Sequence, residues 1–207
     1  RGRLGRRWFA PLGSSLLMSL ILRPALLPRQ AQRVTMICSL AVVEAIRQVS
    51  GLSTWVKWPN DIALGGKKAG GILTELGMYG KQLEYVVVGM GLNINLDVSA
   101  LPELMAPTTS LMREAGHSLS RLDLMVAMLE RIEALYDMMK RGWSPHEAWR
   151  EHLATLGQQV EVGTPEEIIK GLAEDVDEDG TLLVRTKEGN LRRVLAGDVT
   201  LRGHKLG

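Results

Sequence analysis

The stretch that decides the fold and the chemistry begins as Lys57-Trp58-Pro59-Asn60-Asp61 and continues as Lys67-Lys68-Ala69-Gly70-Gly71-Ile72-Leu73-Thr74-Glu75. It places ammonium, amide and carboxylate groups around adjacent glycines, whose missing side chains let the backbone approach a ligand closely. A third segment, Gly89-Met90-Gly91-Leu92-Asn93-Ile94-Asn95, follows an apolar strand pattern. The chain opens with Arg1-Gly2-Arg3-Leu4-Gly5-Arg6-Arg7-Trp8, a cationic segment suited to folding around an anion. Together the segments predict an active site.

Composition limits the classes of protein that the chain can be. With 207 residues, of which 45% are hydrophobic and 23% charged, it can bury a substantial core in one domain plus a small second one. A net charge of +2 predicts local recognition of an anion and no whole-surface attraction to nucleic acid. Cys38 is the single cysteine, so we expect a reducing, cytoplasmic compartment and a buried side chain there. No apolar run approaches the roughly 18 residues of a membrane helix, so we expect a soluble protein without a membrane partner.

Hydrophobic periodicity in the first part of the chain predicts a mixed β-sheet flanked by helices. Helical spacing predicts a helix over 30–50 that Gly51 ends. Short apolar or β-branched runs bounded by Gly, Pro and Asn predict strands. The first of these strands is expected to be buried, and the predicted strands cover residues 16–22, 54–58, 71–76 and 85–92.

A long helix is predicted after Ser120, which forms a helix-starting pair with Asp123. Its apolar stripe is expected to face the core rather than a ligand, because Met-rich helical stripes usually pack inside proteins. The stripe consists of Leu122, Met125, Leu129, Ile132, Tyr136 and Met139. Ser144-Pro145-His146-Glu147 predicts a further helix, with Ser as the cap and Pro in the first helical position, that ends near Gly157.

The character of the sequence changes from Gln158 onward, where short strands alternate with turns. Asp179-Gly180 and Glu188-Gly189-Asn190 are the clearest turn signals. The strands are predicted over 160–162, 168–169, 182–184 and 199–201, and they indicate a small β-barrel. We therefore predict two domains, covering residues 1–156 and 157–207.

In their order, these segments resemble the pattern of the biotin protein ligases, which runs through an Arg-Gly loop, Lys-Trp-Pro-Asn-Asp, a Lys-x-x-Gly-Ile-Leu-x-Glu strand and a Gly-x-Gly-x-Asn strand end. The resemblance covers nearly the whole chain and is specific as an ordered set, although each piece alone is a weak signal. It implies an α+β fold, with a class II synthetase-like catalytic domain of the biotin/lipoate ligase type followed by an SH3-like β-barrel. Because the family pattern places a strand, a helix and biotin-contacting side chains before the Arg-Gly loop, we expect a chain that is truncated at its N-terminus. No helix-turn-helix DNA-binding domain is expected in it.

The resemblance also implies a reaction. Biotin and ATP would form biotinyl-5′-AMP, and the acyl group would then pass to a lysine of a biotin carboxyl carrier protein of acetyl-CoA carboxylase or a related carboxylase. ATP with Mg²⁺ would serve as the energy source. Neither DNA nor a membrane is an expected partner, and a homodimer through sheet edges stays open.

Roles for single residues come from the same resemblance. Lys68 would be catalytic and bridge the biotin carboxylate and the α-phosphate, because two anions that react need a fixed cation between them. Lys67 is expected to be its solvated neighbour. The predicted biotin-binding residues are Arg1, Gly2, Arg3, Trp8, Lys68, Gly70, Gly71 and Gly91, and the predicted nucleotide-binding residues are Arg3, Arg6, Trp8, Asn60, Lys68 and Asn93. Asp61 would position Mg²⁺ or an arginine, or else cap a turn, and no metal ligand is firmly assigned.

Two other functions are compatible with the sequence. Lipoate protein ligases share the fold and the adenylate chemistry, but the Arg-Gly loop together with Lys-Trp-Pro-Asn-Asp favours biotin. A non-catalytic sensor of biotin or its adenylate would be favoured if the expected upstream segment were absent in the cell. Residues 1–7 carry glycines and charges but little apolar surface, so we predict that they are poorly ordered without ligand.

Overall fold

A first antiparallel sheet forms the larger part of the structure. The computed structural model describes residues 8–100, 107–164, 167–195 and 197–201. The sheet has the order β1-β5-β4-β3-β2. Its strands are β1 (Ser15–Leu22), β2 (Trp55–Lys57), β3 (Asp61–Leu64), β4 (Lys67–Tyr79) and β5 (Gln82–Asn93). The predictions for Arg1, Gly2, Arg3, Arg6 and the order of residues 1–7 lie outside the described residues.

The predicted mixed sheet is wrong, because every neighbouring pair of strands in this sheet is antiparallel. Strands β2 to β5 follow one another through short turns, and short turns join antiparallel neighbours. The turn between β3 and β4 is Gly65-Gly66, where both glycines have positive φ. The turn between β2 and β3 contains Trp58-Pro59, whose peptide bond is cis. β3 itself was not predicted, because a strand of four residues beside a Pro-Asn turn gives little alternation to detect.

Helices cover one face of the sheet and leave the other open. The described helices are α1 (Gln32–Ser50), α2 (Leu111–Ala115), α3 (Arg121–Lys140) and α4 (His146–Glu151). The predicted first helix is confirmed, including its end at Gly51, which has φ 71°. The Thr35 hydroxyl of α1 lies 2.7 Å from the Thr74 hydroxyl of β4, so α1 packs directly on the sheet. None of the described helices is both long and apolar enough to cross a membrane.

Strand β1 is present as predicted but is not fully buried. Its Leu17 and Ile21 are 59% and 61% exposed, because they point to the face that the helices leave open. Alternate residues of β5, namely Val86, Val88, Met90 and Leu92, are buried on the face towards the helices. The sheet therefore has a covered face, which builds the core, and an open face.

The long helix α3 begins as predicted but turns a different stripe towards the core. Ser120 caps it by accepting a hydrogen bond from the Asp123 N–H at 3.2 Å. Leu122 of the predicted stripe is 63% exposed, although Ile132 is buried. The buried residues are Leu124, Ala127, Met128, Ile132 and Leu135. The helix has apolar residues on two neighbouring faces, and its packing against α1, not its own spacing, selects the face that is buried.

The shorter helix α4 differs from its prediction at both ends. It begins at His146, one residue after Pro145, and the His146 N–H donates to Ser144 Oγ at 3.5 Å. It ends at Glu151 and not near Gly157. The chain that follows leaves the helix to pair with β2, where the Ala154 N–H donates to the Val56 carbonyl at 2.9 Å.

The second sheet is a separate antiparallel sheet with the order β10-β6-β7-β8-β9. Its strands are β6 (Gln159–Gly163), β7 (Ile168–Val176), β8 (Leu182–Arg185), β9 (Leu191–Val194) and β10 (Asp198–Leu201). The predicted strands and both turns are confirmed, whereas β9 was missed because two arginines occupy its centre. Within the described residues the edge strands β9 and β10 do not pair with each other, so the sheet is open there.

The side that α3 presents to the core can be tested by a pair of leucine truncations. Leu124→Ala removes a side chain that is 1% exposed and should lower the free energy of unfolding by about 2 to 5 kcal/mol. Leu122→Ala removes an exposed one and should change it by less than about 0.5 kcal/mol. Urea unfolding followed by circular dichroism measures both values. Equal losses for the two variants would contradict the observed packing of α3.

Candidate functional site

A row of paired residues crosses the open face of the first sheet. The strand register sets Leu17 opposite Gly91, Gly91 opposite Gly71, and Gly71 opposite Asp61. The two central residues of this row have no side chains, so other side chains can lie directly on the backbone of β4 and β5 there; Gly91 is buried and Gly71 is partly exposed. We call the glycine pair the floor of the site, because the side chains of the site lie directly against it.

Trp8 lies against this floor from one side. A Cβ atom added to Gly91 would lie 2.9 Å from two atoms of the Trp8 ring, so any larger residue would displace the indole. The buried indole N–H of Trp8 has no acceptor among the described residues. The predicted neighbourhood of Trp8 and Gly91 is thus present, and it offers an unused hydrogen-bond donor.

Lys68 reaches the floor from the other side. Its Nζ lies 2.6 Å from Asp61 Oδ1 and 5.9 Å from the centroid of the Trp8 ring, which is within the range of a cation–π contact. A Cβ atom on Gly71 would lie 3.5 Å from Lys68 Nζ and 3.2 Å from Asp61 Oδ1. Asp61 and Lys68 are only partly exposed, so their charges are moderately screened by water.

A β-bulge explains why Lys68 shares a face with Gly71. Strict alternation would place residues three positions apart on opposite faces of a strand. The register between β3 and β4 shifts between Ile62 and Ala63, so that Ile62 faces Gly70 while Ala63 faces Lys68. The extra residue on β4, Ala69, is buried, and the shift turns the Lys68 side chain to the open face.

Gly70 occupies a different place from its neighbour. It pairs with Leu92 on the covered face, where an added Cβ atom would lie 2.4 Å from Leu92 Cδ2. The close packing of β4 on β5 therefore requires a glycine at this position. Gly70 therefore faces the covered side of the sheet, whereas Trp8, Gly71, Gly91 and Lys68 come together on the open face.

The backbone of Lys68 is held by residues 107–109. The Lys68 N–H donates to the Pro107 carbonyl at 2.9 Å, and the Thr109 N–H donates to the Lys68 carbonyl at 2.9 Å. Asn93, which is 4% exposed, donates from Nδ2 to the Thr109 carbonyl at 3.1 Å. In the structure Asn93 thus anchors the segment that fixes Lys68, and its predicted nucleotide contact stays a prediction.

Asn60 is fixed in a similar way on the opposite side of β4. The Ile72 N–H donates to the Asn60 carbonyl at 2.9 Å, and Asn60 Nδ2 donates to the Ile72 carbonyl. These bonds hold Asn60 one residue before Asp61 at the end of the row. Its predicted contact with the nucleotide stays a prediction.

Lys67 and Lys68 have different surroundings. Lys67 Nζ lies 3.4 Å from Glu114 Oε1, and the Thr109 hydroxyl donates to the same oxygen at 2.5 Å. The pKa of Glu114 lies below its ordinary value of 4.5, because the Thr109 hydroxyl and Lys67 stabilise the carboxylate more than partial burial disfavours it. Nothing in the sequence pattern marked Thr109 or Glu114, since their roles depend on contacts that only the fold creates.

Titratable groups elsewhere do not add a metal centre to this picture. No group of three His, Cys, Asp or Glu side chains lies together anywhere in the described part of the chain. The Cys38 thiol is buried as predicted, and burial raises its pKa to about 12. The site therefore consists of the glycine floor, Trp8 and the Asp61–Lys68 ion pair.

Comparisons with known proteins find similar sequences over nearly the whole chain. Residues 1–93 match the Biotin/lipoate A/B protein ligase family, and residues 155–202 match the Biotin protein ligase C terminal domain. The Bifunctional ligase/repressor BirA of Bacillus subtilis is 34% identical over 204 residues, which are 97% of this chain and 62% of that protein. The Biotin--[acetyl-CoA-carboxylase] ligase of Paracoccus denitrificans is 32% identical over 91% of this chain and 81% of its own length.

A solved structure is also similar to this chain in its fold. The biotin protein ligase from Aquifex aeolicus in complex with biotin and ATP matches with a TM-score of 0.82 and 29% identity, over 98% of this chain and 84% of the other. The chain described here spans less than two thirds of the Bacillus relative, at 62% of its length.

The Glu114 carboxylate should give the fold a measurable pH dependence. Because its folded pKa is lowered, its contribution to stability is fully present above the ordinary pKa of 4.5 and is lost as the pH falls through the folded pKa. At pH 7, Glu114→Gln should lower the free energy of unfolding by on the order of 1 kcal/mol, and this deficit should shrink in acid. Urea unfolding between pH 7 and pH 3 measures it, with the exposed Glu133→Gln as the control. A deficit that grows in acid would have the wrong sign.

Proposed function

The chain belongs to the biotin protein ligase family, and from this premise we propose that it catalyses the ATP-dependent ligation of biotin, through biotinyl-5′-AMP, to a lysine of a biotin carboxyl carrier protein. The observation that carries the proposal is the position of Lys68. Its ammonium group lies at one end of the glycine floor, opposite Trp8 and beside Asp61. A positive charge in this place can meet two anionic groups that lie on the open face.

The first step joins two anions. A carboxylate oxygen of biotin forms a bond to the α-phosphorus of ATP, and the bond from that phosphorus to the leaving pyrophosphate breaks. Negative charge gathers between the carboxylate and the α-phosphate in the transition state, so a fixed ammonium there stabilises the transition state more than either bound reactant. Asp61 and the hydrogen-bonded backbone of Lys68 hold this ammonium before ligands arrive, which reduces the reorganisation that the step requires.

The second step transfers the acyl group. The neutral amine of a carrier lysine forms a bond to the acyl carbon of biotinyl-5′-AMP, the bond from that carbon to AMP breaks, and a proton leaves the amine. Lys68 would stay beside the phosphate of the departing AMP. Because the mixed anhydride is already activated, this step depends less on the charge of Lys68 than the first step does.

The remaining roles follow the family resemblance, and Arg1, Gly2, Arg3 and Arg6 lie outside the described residues. We assign Trp8, Gly71 and Gly91 to biotin, with Arg1, Gly2 and Arg3 as the loop that closes on it. Gly70 lies next to Gly71 and packs on Leu92 on the covered face, beneath the floor. Asn60, Asn93, Arg3 and Arg6 complete the nucleotide side.

Mg²⁺ would enter with ATP and not through a preformed cage. Mg²⁺ in nucleotide sites is held by one or two carboxylates together with substrate phosphates. Asp61 supplies one carboxylate beside the Lys68 ammonium, so the residues present fit an ion that the phosphates bring with them. Mg²⁺ would reduce the charge of the triphosphate, while Lys68 and Asp61 orient the reacting groups.

Architecture, location and assembly complete the proposal. The second sheet would be the SH3-like domain of the family, with the boundary between residues 156 and 157. A cytoplasmic location, the absence of DNA and membrane partners, and a homodimer through sheet edges remain predictions. A lipoate ligase would release pyrophosphate from ATP in response to lipoate. A non-catalytic sensor would release none in response to either acid.

Substitution of Lys68 tests the assignment of the catalytic cation. Lys68→Ala should slow biotin-dependent pyrophosphate release by about a hundredfold, which corresponds to roughly 3 kcal/mol of lost transition-state stabilisation. Transfer from supplied biotinyl-5′-AMP to a carrier protein should slow by less, because the supplied adenylate bypasses the first step. Pyrophosphate release and mass spectrometry of the carrier measure the two steps.

The matched control for this substitution is the neighbouring lysine. Lys67→Ala breaks the contact with Glu114 but leaves the Lys68 ammonium on the floor, so it should change pyrophosphate release by less than about threefold. Similar losses for both variants would show that the general positive charge of this segment matters and not one placed ammonium. Pyrophosphate release that lipoate supports and biotin does not would identify the lipoate-type alternative.

A further inference from the structure

Trp58 joins the Lys57–Asp61 motif to the second sheet. Its side chain is buried, and its indole Nε1–H donates to the Gly180 carbonyl at 2.9 Å. Its backbone N–H donates to Thr155 Oγ1 at 2.9 Å, on the chain that enters the second sheet. Trp58 is thus held by two hydrogen bonds that it donates to the C-terminal part of the chain.

The turn that accepts the indole bond is firmly built. Asp177 Oδ1 accepts hydrogen bonds from the Asp179 N–H at 3.0 Å and the Thr181 N–H at 2.9 Å. The Gly180 N–H donates to the Asp177 carbonyl at 2.8 Å, and Gly180 has φ +85°. The carbonyl that Trp58 contacts therefore has a fixed position and cannot swing freely to follow the indole.

Helix α1 holds the same turn from outside. Asp179 Oδ1 lies 3.1 Å from Arg33 Nη2. A Cβ atom on Gly180 would lie 2.8 Å from Gln32 Cγ and 2.9 Å from Met36 Cε, so the turn is in close contact with α1. The turn, α1 and Trp58 thus form one packed contact between the two sheets.

The strand before Trp58 is tied to the same region. The Val56 N–H donates to the His152 carbonyl at 2.9 Å, and the Ala154 N–H donates back to the Val56 carbonyl at 2.9 Å. Residues after Trp58 lead directly to the proposed site, since Asn60 is bonded to Ile72 and Asp61 contacts Lys68. Only Pro59 lies between Trp58 and Asn60, so a displacement of Trp58 would also move Asn60 and Asp61.

We propose that Trp58 is a positioning residue through which the turn of the second sheet sets the positions of Asn60 and Asp61, and through Asp61 that of Lys68. The kinetic consequence rests on the function proposed above. Trp58 itself touches no ligand in this account. It acts through the bond from its indole N–H to Gly180, which fixes the start of the turn that carries Asn60 and Asp61.

Trp58→Phe removes the indole donor and keeps an aromatic ring. In biotin-dependent pyrophosphate release, the KM for ATP should rise about three- to tenfold, the range expected from one lost hydrogen bond, while the KM for biotin changes by less than about twofold. A residue that only stabilised the fold would reduce the active fraction and leave both KM values unchanged. Trp55→Phe is the matched control, because Trp55 lies on β2 but is 46% exposed, and it should leave both KM values unchanged.

A second variant acts from the turn and leaves Trp58 intact. Asp179→Asn weakens the ion pair with Arg33 and should raise the KM for ATP in the same direction but by less. Glu178 on the same turn also contacts Arg33, with 3.8 Å between Oε2 and Nη2, so the control is Glu133→Gln on α3, an exposed side chain outside this turn. If Trp58→Phe does not fold, Asp179→Asn still tests the proposal.

The ligand-free protein gives a readout that does not depend on activity. In ¹H–¹⁵N NMR spectra, Trp58→Phe should shift the backbone amide signals of Asn60, Asp61 and Lys68, and Trp55→Phe should leave them in place. Unshifted signals, together with an unchanged KM for ATP in Trp58→Phe and Asp179→Asn, would overturn the positioning role. If the wild-type protein releases no pyrophosphate in response to biotin, the proposed function fails, and the NMR comparison still decides the role of Trp58.

Discussion

The pairing of Gly71 with Gly91 is the constraint on which the site depends. Two neighbouring strands meet there without side chains on the open face, which leaves room for the Trp8 ring and the Asp61–Lys68 ion pair to lie against the backbone. A side chain at Gly91 would collide with Trp8, and one at Gly71 would lie against the Asp61–Lys68 ion pair. Each group that gives the site its chemistry is thus arranged around space that the two glycines leave.

The adjacent Gly70 serves the same arrangement from the covered face. Its missing Cβ leaves the space that the Leu92 side chain fills on the covered face beneath the floor. The bulge at Ala69 then turns Lys68 to the open face, and the segment from Pro107 to Thr109 fixes its backbone. Lysine is suited to this place because its ammonium is a compact charge that several oxygens can share.

Local patterns in the sequence predicted local structure well. The apolar spacing and Gly51 predicted α1, and short apolar or β-branched runs bounded by Gly, Pro and Asn predicted the central parts of β4 and β5. Trp8, Lys68, Gly71 and Gly91 were predicted as one site, and the structure brings them together. They could be predicted because the ordered set of motifs resembles the pattern of the biotin protein ligases, although each motif alone is a weak signal.

Features that depend on distant contacts could not be predicted in this way. Two apolar faces compete on α3, and only contact with α1 decides which is buried. The hydrogen bond from Trp58 to Gly180 joins residues 122 positions apart, so no local pattern records it. Thr109 and Glu114 matter because the fold places them beside Asn93 and Lys67, and β1 pairs with β5 although β2, β3 and β4 lie between them in the chain.

The most direct test of the account is a crystal structure of the protein with biotinyl-5′-AMP bound. We expect the ligand to bind on the open face beside the Trp8 ring, which covers Gly91, with a phosphate or acyl oxygen within about 3.2 Å of Lys68 Nζ. The Trp8 ring should then wall the ligand on the side opposite Asp61. A ligand bound away from the glycine pair, with Lys68 in contact with Asp61 alone, would contradict the account.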